Sequence, residues 1–204
     1  MYKAALILNG KSIKGPVIGD EVICADGGYN LALSYGIKPD YLIGDLDSVK
    51  DYDNNAELVK FSADKDKTDG ELAVLFAANK GCKKLHIYGA DGGRLDHVMS
   101  NIYLLHIGAT VGVRITIHTE SSTVYLANSA FELPVKKGDI ISIVPFSEKV
   151  HINSTKGLKY EIVNKSLRKG STLGISNIAT DETILIDVAE GEAIIFKIDS
   201  GGEK

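Results

Sequence analysis

The sequence predicts an α/β protein in two domains: an N-terminal three-layer α/β/α domain with a mostly parallel sheet (residues 1–128), followed by a C-terminal all-β sandwich domain (residues 129–204). Three observations predict it. Short apolar runs alternate with helical periodicity through the first half. Beyond residue 128 short extended segments follow one another without any sustained helical period. Aspartate is skewed, with twelve of sixteen falling within residues 1–100, so carboxylate chemistry belongs to the first half. A chain of 204 residues suits one large domain or two small ones.

In the first half, residues 3–8 (KAALIL), 21–25 (EVICA), 41–43, 58–61 and 84–88 read as buried strands bounded by Gly, Asn or Asp, and 114–118 (RITIH) and 123–127 (TVYLA) extend the series. Helices are predicted between some of them. The segment 29–35 is stopped by Gly36 and Pro39. The segment 69–79 carries Leu72, Ala73, Leu75 and Phe76 on one face, with Thr68 or Asp69 as the N-cap. The segment 96–107 carries Val98, Met99, Ile102 and Leu105, with Gly108 placed to end it. Alternation of this kind implies a mostly parallel sheet covered on both faces. In the second half, 131–134, 139–145, 149–153, 160–163, 173–175, 183–188 and 193–198 read as strands, separated by turn signals at Lys137-Gly138-Asp139, Lys156-Gly157, Lys169-Gly170 and Glu190-Gly191-Glu192. Short strands at this spacing predict a sandwich.

Composition excludes several classes of function. With 44% hydrophobic and 25% charged residues the chain is not disordered. A net charge of 23 − 27 = −4 argues against nucleic acid as a partner. The longest N-terminal apolar run, residues 4–8, is too short for a signal peptide or a membrane span, and the chain reads as cytoplasmic. Cys24 and Cys82 form no CxxC pair, which excludes a thiolate zinc site and favours two buried thiols.

Four acidic loops follow predicted strands directly or after a short gap: Ala25-Asp26-Gly27-Gly28, Gly44-Asp45-Leu46-Asp47-Ser48, Asp66-Lys67-Thr68-Asp69, and Asp91-Gly92-Gly93-Arg94-Leu95-Asp96-His97. In a parallel sheet the carboxyl ends of the strands share one edge, where open α/β sheets bind ligands. Seven carboxylates crowded there need a positive counterpart. Mg2+ is the economical candidate, because it takes carboxylate and phosphate oxygens together. Gly27-Gly28 and Gly92-Gly93 let backbone N–H groups approach an anion, and Lys67 and Arg94 can meet phosphate. The residues alone therefore point to a Mg2+-dependent polyphosphate site, with a nucleotide as the expected ligand. Taken singly, each feature has an ordinary alternative: Asp-Gly is common turn chemistry, one DxD carries little information, and Asp69 serves equally as a helix cap. No GxxxxGK[ST] loop is present, and no GxGxxG follows a strand.

As an ordered set these loops resemble the thiamin pyrophosphokinase family. The resemblance runs through Ala25-Asp26-Gly27-Gly28, Pro39-Asp40, Gly44-Asp45-Leu46-Asp47-Ser48, Lys65-Asp66-Lys67-Thr68-Asp69, Gly92-Gly93-Arg94-Leu95-Asp96-His97 and a late Ser176-Asn177. It covers about residues 9–177, most of the chain. It implies Mg2+-dependent transfer of pyrophosphate from ATP to the hydroxyethyl group of thiamin, giving thiamin diphosphate and AMP. It implies Asp45, Asp47, Asp69, Asp26 and Asp66 as metal ligands. Asn9, Gly27, Lys67, Thr68, Gly92, Gly93, Arg94 and His97 are implied on the ATP side. Ser176, Asn177 and Asp96 are implied on the thiamin side, and Asp69, Asp96 and Arg94 in the transfer itself. Either Asp69 or Asp96 is the candidate base for the thiamin hydroxyl, the alternative being that metal and orientation suffice. The resemblance further implies a homodimer, with the thiamin site shared between one subunit's α/β domain and the other's sandwich. The chain departs from some family members in having no tryptophan to stack on thiamin; a Tyr, a Phe or an aliphatic side chain near Leu173 takes that role.

Three rival readings remain at this stage. A haloacid-dehalogenase-type phosphatase would place DxD after the first strand, where this chain has Asn9-Gly10. A nucleotide-sugar transferase would rest on DxD alone. A non-catalytic nucleotide or metal sensor would use the same loops without turnover.

Overall fold

The computed structural model describes residues 1–44, 49, 52, 55–61 and 66–200. The chain divides into two compact units, Met1–Glu120 and Ser121–Lys204.

The first unit runs β1 (Lys3–Ile7), β2 (Glu21–Ala25), α1 (Gly28–Ser34), β3 (Tyr41–Ile43), β4 (Glu57–Val59), α2 (Asp69–Asn79), β5 (Lys84–Tyr88), α3 (Leu95–Thr110) and β6 (Arg114–His118). Its strands are ordered β6-β5-β1-β2-β3-β4 and all their pairings are parallel. β1 is buried on both faces, as a sheet with helices on each side demands. Ala5, Ile7, Cys24 and Leu42 form one face, against Tyr29 and Ala32 of α1. α2 packs on β1, β2 and β3, and α3 packs on α2 and β6. The predicted fold class is therefore observed.

The start of α2 and the end of α3 are set by different residues. Thr68 caps α2, its Oγ1 accepting from the Glu71 N–H at 3.2 Å. Gly108 does not end α3, contrary to expectation. It lies buried inside the helix, where a Cβ would stand 2.5 Å from Ile115 Cδ1, so its small size lets α3 approach β6. The helix ends at Val111, beside Gly112 with φ +73°.

The connection from β1 to β2 carries no helix or strand. It is tied from below by the Tyr88 hydroxyl, which donates to the Pro16 carbonyl (3.1 Å) and accepts from the Ile18 N–H (3.0 Å). The Tyr88 ring stacks on His118 with centroids 4.8 Å apart, and His86 Nδ1 lies 3.0 Å from His118 Nε2. Both cysteines are buried and unbridged, and burial pushes the Cys24 thiol far above its ordinary pKa.

The second unit contains β7 (Ser122–Ala127), β8 (Ala130–Pro134), β9 (Ile140–Pro145), β10 (Lys149–Lys156), β11 (Val163–Arg168), β12 (Asn177–Ile178), β13 (Thr183–Glu190) and β14 (Ala193–Ile198). Its antiparallel pairings give one sheet in the order β8-β13-β10-β11 and another in the order β7-β14-β9-β12. Ile184, Ile186 and Val188 of β13 and Val150 and Ile152 of β10 share a core with Ile141 and Ile143 of β9 and Ile195 of β14. This is the predicted sandwich. The strand expected at 123–127 is present as β7 and pairs antiparallel with β14 of the same unit.

Two expectations in this unit are corrected. Residues 173–175 form a turn, not a strand. The Gly174 carbonyl accepts from the Ile143 N–H at 2.8 Å, and a Cβ on Gly174 would collide with the Ile143 carbonyl, so the turn sits tight against β9. The segment 160–163 is mostly irregular, and the strand instead begins at Val163 and runs to Arg168.

Candidate active site

Every described loop of the acidic set leaves the carboxyl end of a parallel strand. β1 has β2 on one side and β5 on the other, and the chain leaves β1 toward β2 but leaves β5 toward β6. The strand order thus reverses between β1 and β5, and a crevice opens at such a point. A cavity of about 540 Å3 lies at this edge, lined by residues from four loops: Leu8 and Asn9; Ala25 and Asp26; Thr68, Asp69 and Gly70; Gly93, Arg94 and His97, with Ser100 and Asn101 one turn further along α3. Its size is that of an ordinary small-molecule site.

Backbone geometry explains how these groups come together. Asp26 adopts φ +48°, a left-handed conformation that aspartate tolerates better than most residues. It turns the chain sharply from β2 into α1, while its N–H donates to the Ile43 carbonyl at 2.9 Å. Thr68 and Asp69 open α2, and Gly93 and Arg94 lead into α3. Two helix N-termini therefore supply residues to one cavity, and both favour a negatively charged ligand through the helix dipole. Asn101 donates from Nδ2 to the Ala90 carbonyl (2.9 Å), which holds the loop after β5 against α3.

The structure brings together Asn9, Asp26, Thr68, Asp69, Gly93, Arg94 and His97 of the expected residues. Asp66, Lys67, Gly27, Gly92 and Asp96 do not line the cavity, though each stands in a loop that does. Asp45 and Asp47, with Lys65, lie outside the described residues. Ser176 and Asn177 belong to the second unit. The glycines do more than admit an anion. A Cβ on Gly27 would stand 2.5 Å from Asn9 Nδ2, and one on Gly28 would stand 2.1 Å from the Ile7 carbonyl oxygen. A Cβ on Gly92 would stand 2.7 Å from Lys11 Cγ.

Charge is arranged in pairs. Arg94 grips Asp96 with both Nη2 (2.6 Å) and Nε (3.2 Å), and the His97 N–H donates to the same carboxylate at 3.0 Å. The Arg94 guanidinium holds the Asp96 carboxyl below its usual range. Of the two candidate bases, Asp69 lines the cavity, while Asp96 does not and is engaged by Arg94. Lys67 pairs with Glu71 at 2.7 Å, one helical turn away. In the second unit Ser176 has φ +57° and its N–H donates to Ser142 Oγ. The buried Asn177 side chain is committed to backbone: Oδ1 accepts from the N–H groups of Tyr160 (3.0 Å) and Ile178 (2.9 Å), and Nδ2 donates to the Tyr160 carbonyl (2.6 Å).

Asp26 and Asp69 offer hard oxygen ligands from separate loops to one cavity. Among the described residues no cluster of three or more metal-binding side chains occurs. A Mg2+ ion held by one or two carboxylates, with phosphate oxygens and water completing its shell, needs no larger protein cage. The donor set fits that ion.

Ser100, Asn101, Leu8, Ala25 and Gly70 also line the cavity and were not anticipated. A signal existed for two of them. His97, Ser100 and Asn101 fall at i, i+3 and i+4, one polar face of a helix whose opposite side is apolar.

Known proteins were compared with the chain on this basis. The catalytic domain of thiamin pyrophosphokinase matches residues 19–117, and the vitamin B1 binding domain of the same enzyme matches residues 114–192. A thiamine pyrophosphokinase from Bacillus subtilis is 31% identical over 184 residues, covering 86% of each chain. Thiamine pyrophosphokinase 1 from Oryza sativa subsp. japonica is 29% identical over 219 residues, covering 90% of this chain and 82% of its own. A crystal structure of the Bacillus subtilis thiamine pyrophosphokinase superimposes with a TM-score of 0.86 at 27% identity, over 97% of this chain and 99% of that one. With both domains matched in order over most of its length, the chain belongs to the thiamin pyrophosphokinase family and is a kinase and transferase of thiamine diphosphate synthesis.

Proposed function

We propose that the cavity at the β1–β5 edge binds ATP with Mg2+, and that its residues divide the work of transferring pyrophosphate to the hydroxyethyl group of thiamin. Family membership implies ATP as the co-substrate. The observation that carries the residue assignment is the convergence of Asn9, Asp26, Thr68, Asp69, Arg94 and His97 on one cavity at two helix N-termini. In this reading Asp26, with Asp45 and Asp47 from outside the described residues and Asp66 beside them, holds Mg2+, which leaves Asp69 for the hydroxyl. The ion neutralises charge on the phosphates when it is bound.

The protein's own part is positioning and electrostatics. The N-termini of α2 and α3, with Thr68, Gly93 and His97, orient the phosphate chain. Asp69 accepts the hydrogen bond of the thiamin hydroxyl and takes its proton as the oxygen attacks the β-phosphorus. The bond from that phosphorus to the α-phosphate oxygen breaks, and AMP leaves with the electron pair. The Arg94–Asp96 pair keeps a guanidinium oriented at the mouth, where it meets a phosphate oxygen. Asn177 acts on the thiamin side as a positioning residue, because its amide fixes the Tyr160 backbone and the turn that presents Ser176.

A homodimer completes the proposal. Leu95, Met99 and Tyr103 recur every four residues along α3 and are exposed, Leu95 by 83%, and a second copy is the partner this reading assigns to them. No helix among the described residues is long and apolar enough to cross a membrane. The proposed compartment is the cytoplasm, where ATP and Mg2+ are supplied.

The test is one incubation of the protein with ATP, Mg2+ and thiamin, with products separated by chromatography. AMP and thiamin diphosphate in equal amounts, dependent on metal and on thiamin, are expected. ADP with thiamin monophosphate would overturn the assignment of the attacked phosphorus.

A further inference from the structure

We propose that Lys11 is a further substrate-contacting residue, a cation that meets the polyphosphate of the nucleotide at the crevice between β1 and β5. The proposal rests on the reading of the cavity as an ATP site.

Placement is the first argument. The loop Asn9-Gly10-Lys11 follows β1, the strand at which the sheet order reverses, and lies between the loops that follow β2 and β5. It is locked to the latter. The Lys11 N–H donates to the Asp91 carbonyl at 3.2 Å, and a Cβ on Gly10 would stand 2.3 Å from the Gly89 carbonyl oxygen. On one side Asn9 lies across Gly27, and on the other Lys11 lies across Gly92. The space that a Gly92 side chain would fill is taken by Lys11 Cβ, Cγ and Cδ, all within 2.7–2.8 Å of that position. Three methylenes of the stem are thus seated on bare backbone, and the next two residues after Gly92, Gly93 and Arg94, line the cavity.

Charge is the second argument. The two cations first assigned to phosphate each share their charge with a carboxylate, Lys67 with Glu71 at 2.7 Å and Arg94 with Asp96 at 2.6 Å, so Arg94 alone leaves most of a polyphosphate's charge unmatched. Among the described residues Lys11 is paired with no carboxylate. An ammonium on an anchored stem, beside a cavity that carries the carboxylates of Asp26 and Asp69, supplies the charge that a polyphosphate ligand needs there.

The test compares wild type, Lys11→Met and Lys11→Arg. Methionine keeps an unbranched stem over Gly92, so thermal stability reports whether the loop is intact. Calorimetric titration with MgATP and steady-state kinetics are read together. Lys11→Met is expected to weaken MgATP binding and raise the ATP KM by about tenfold, with kcat and the thiamin KM within about twofold of wild type. The affinity should also depend less on salt, and Lys11→Arg should recover most of it. Unchanged MgATP affinity in a folded Lys11→Met protein overturns the proposal. A wild type that binds MgATP without forming thiamin diphosphate overturns the reaction but leaves the Lys11 comparison to be read by calorimetry. A wild type that binds no MgATP overturns both.

Discussion

The parallel sheet of the first unit and the sandwich of the second bury their strands in different ways, and the difference decides where chemistry can sit. β1 is covered on both faces, so almost none of its side chains remains for a ligand. Polar function is displaced to the loops beyond the strand ends, where Asn9, Asp26 and Arg94 stand. β13 in contrast alternates, with Ile184, Ile186 and Val188 inward and Leu185 and Asp187 less buried. Its outward face carries polar cross-strand contacts such as Asn153 Nδ2 to Asp187 Oδ2 at 3.1 Å. A doubly covered sheet concentrates its reactive groups at one edge; a sandwich distributes polar groups over its outer surfaces.

The contrast can be broken by substitution. Asp69→Asn removes a carboxylate from the edge without touching the core, and kcat should fall by about 10²–10⁴-fold with little change in the unfolding midpoint. A loss of less than about tenfold in AMP release would remove Asp69 from the transfer step. Ile186→Ala should do the reverse. It opens a cavity in the sandwich core and should cost about 2–5 kcal/mol in chemical denaturation, while turnover per folded molecule is retained.

The smallest expected effect sharpens the comparison within the first unit, at the half-buried imidazoles of β5 and β6. Burial, then His86, lowers His118 from 6.5 to about 4, and burial with Lys3 and Lys84 lowers His86 as well. Between those two values the unfolded chain carries the proton and the folded chain does not. Stability contributed by the neutral ring is therefore present above pH 6.5 and is lost as pH falls toward 4. After allowance for solvent screening the loss at His118 is on the order of 1–2 kcal/mol. Denaturation at pH 7 and pH 4.5 should show a smaller difference in His118→Gln than in wild type.

Much of this was legible in the sequence. The buried runs, the helix 69–79 with its Thr68 cap, and the four acidic loops all follow from patterns that burial and capping impose directly. Less visible were features set by tertiary contact. Val163–Arg168 forms a strand although only Leu167 is buried, so no alternation announced it. Gly108 reads as a helix stop, yet it serves close packing on Ile115. Gly27 and Gly92 also admit the side chains of Asn9 and Lys11, a close approach that the sequence does not announce. Two residues that sequence placed at the substrates have their side chains engaged within the protein, Asp96 by Arg94 and Asn177 by the Tyr160 backbone. Neither engagement has a local sequence signature.

The tether beneath the β1–β2 connection has one more consequence. That segment lacks secondary structure, but Tyr88 holds it at both Pro16 and Ile18, and Tyr88 belongs to a central strand. A protease must lift several consecutive residues from the surface to cut them. Here lifting residues 16–18 first breaks both hydrogen bonds to the Tyr88 hydroxyl, so this stretch is better protected than the exposed residues at Lys11 and Lys14 that precede it.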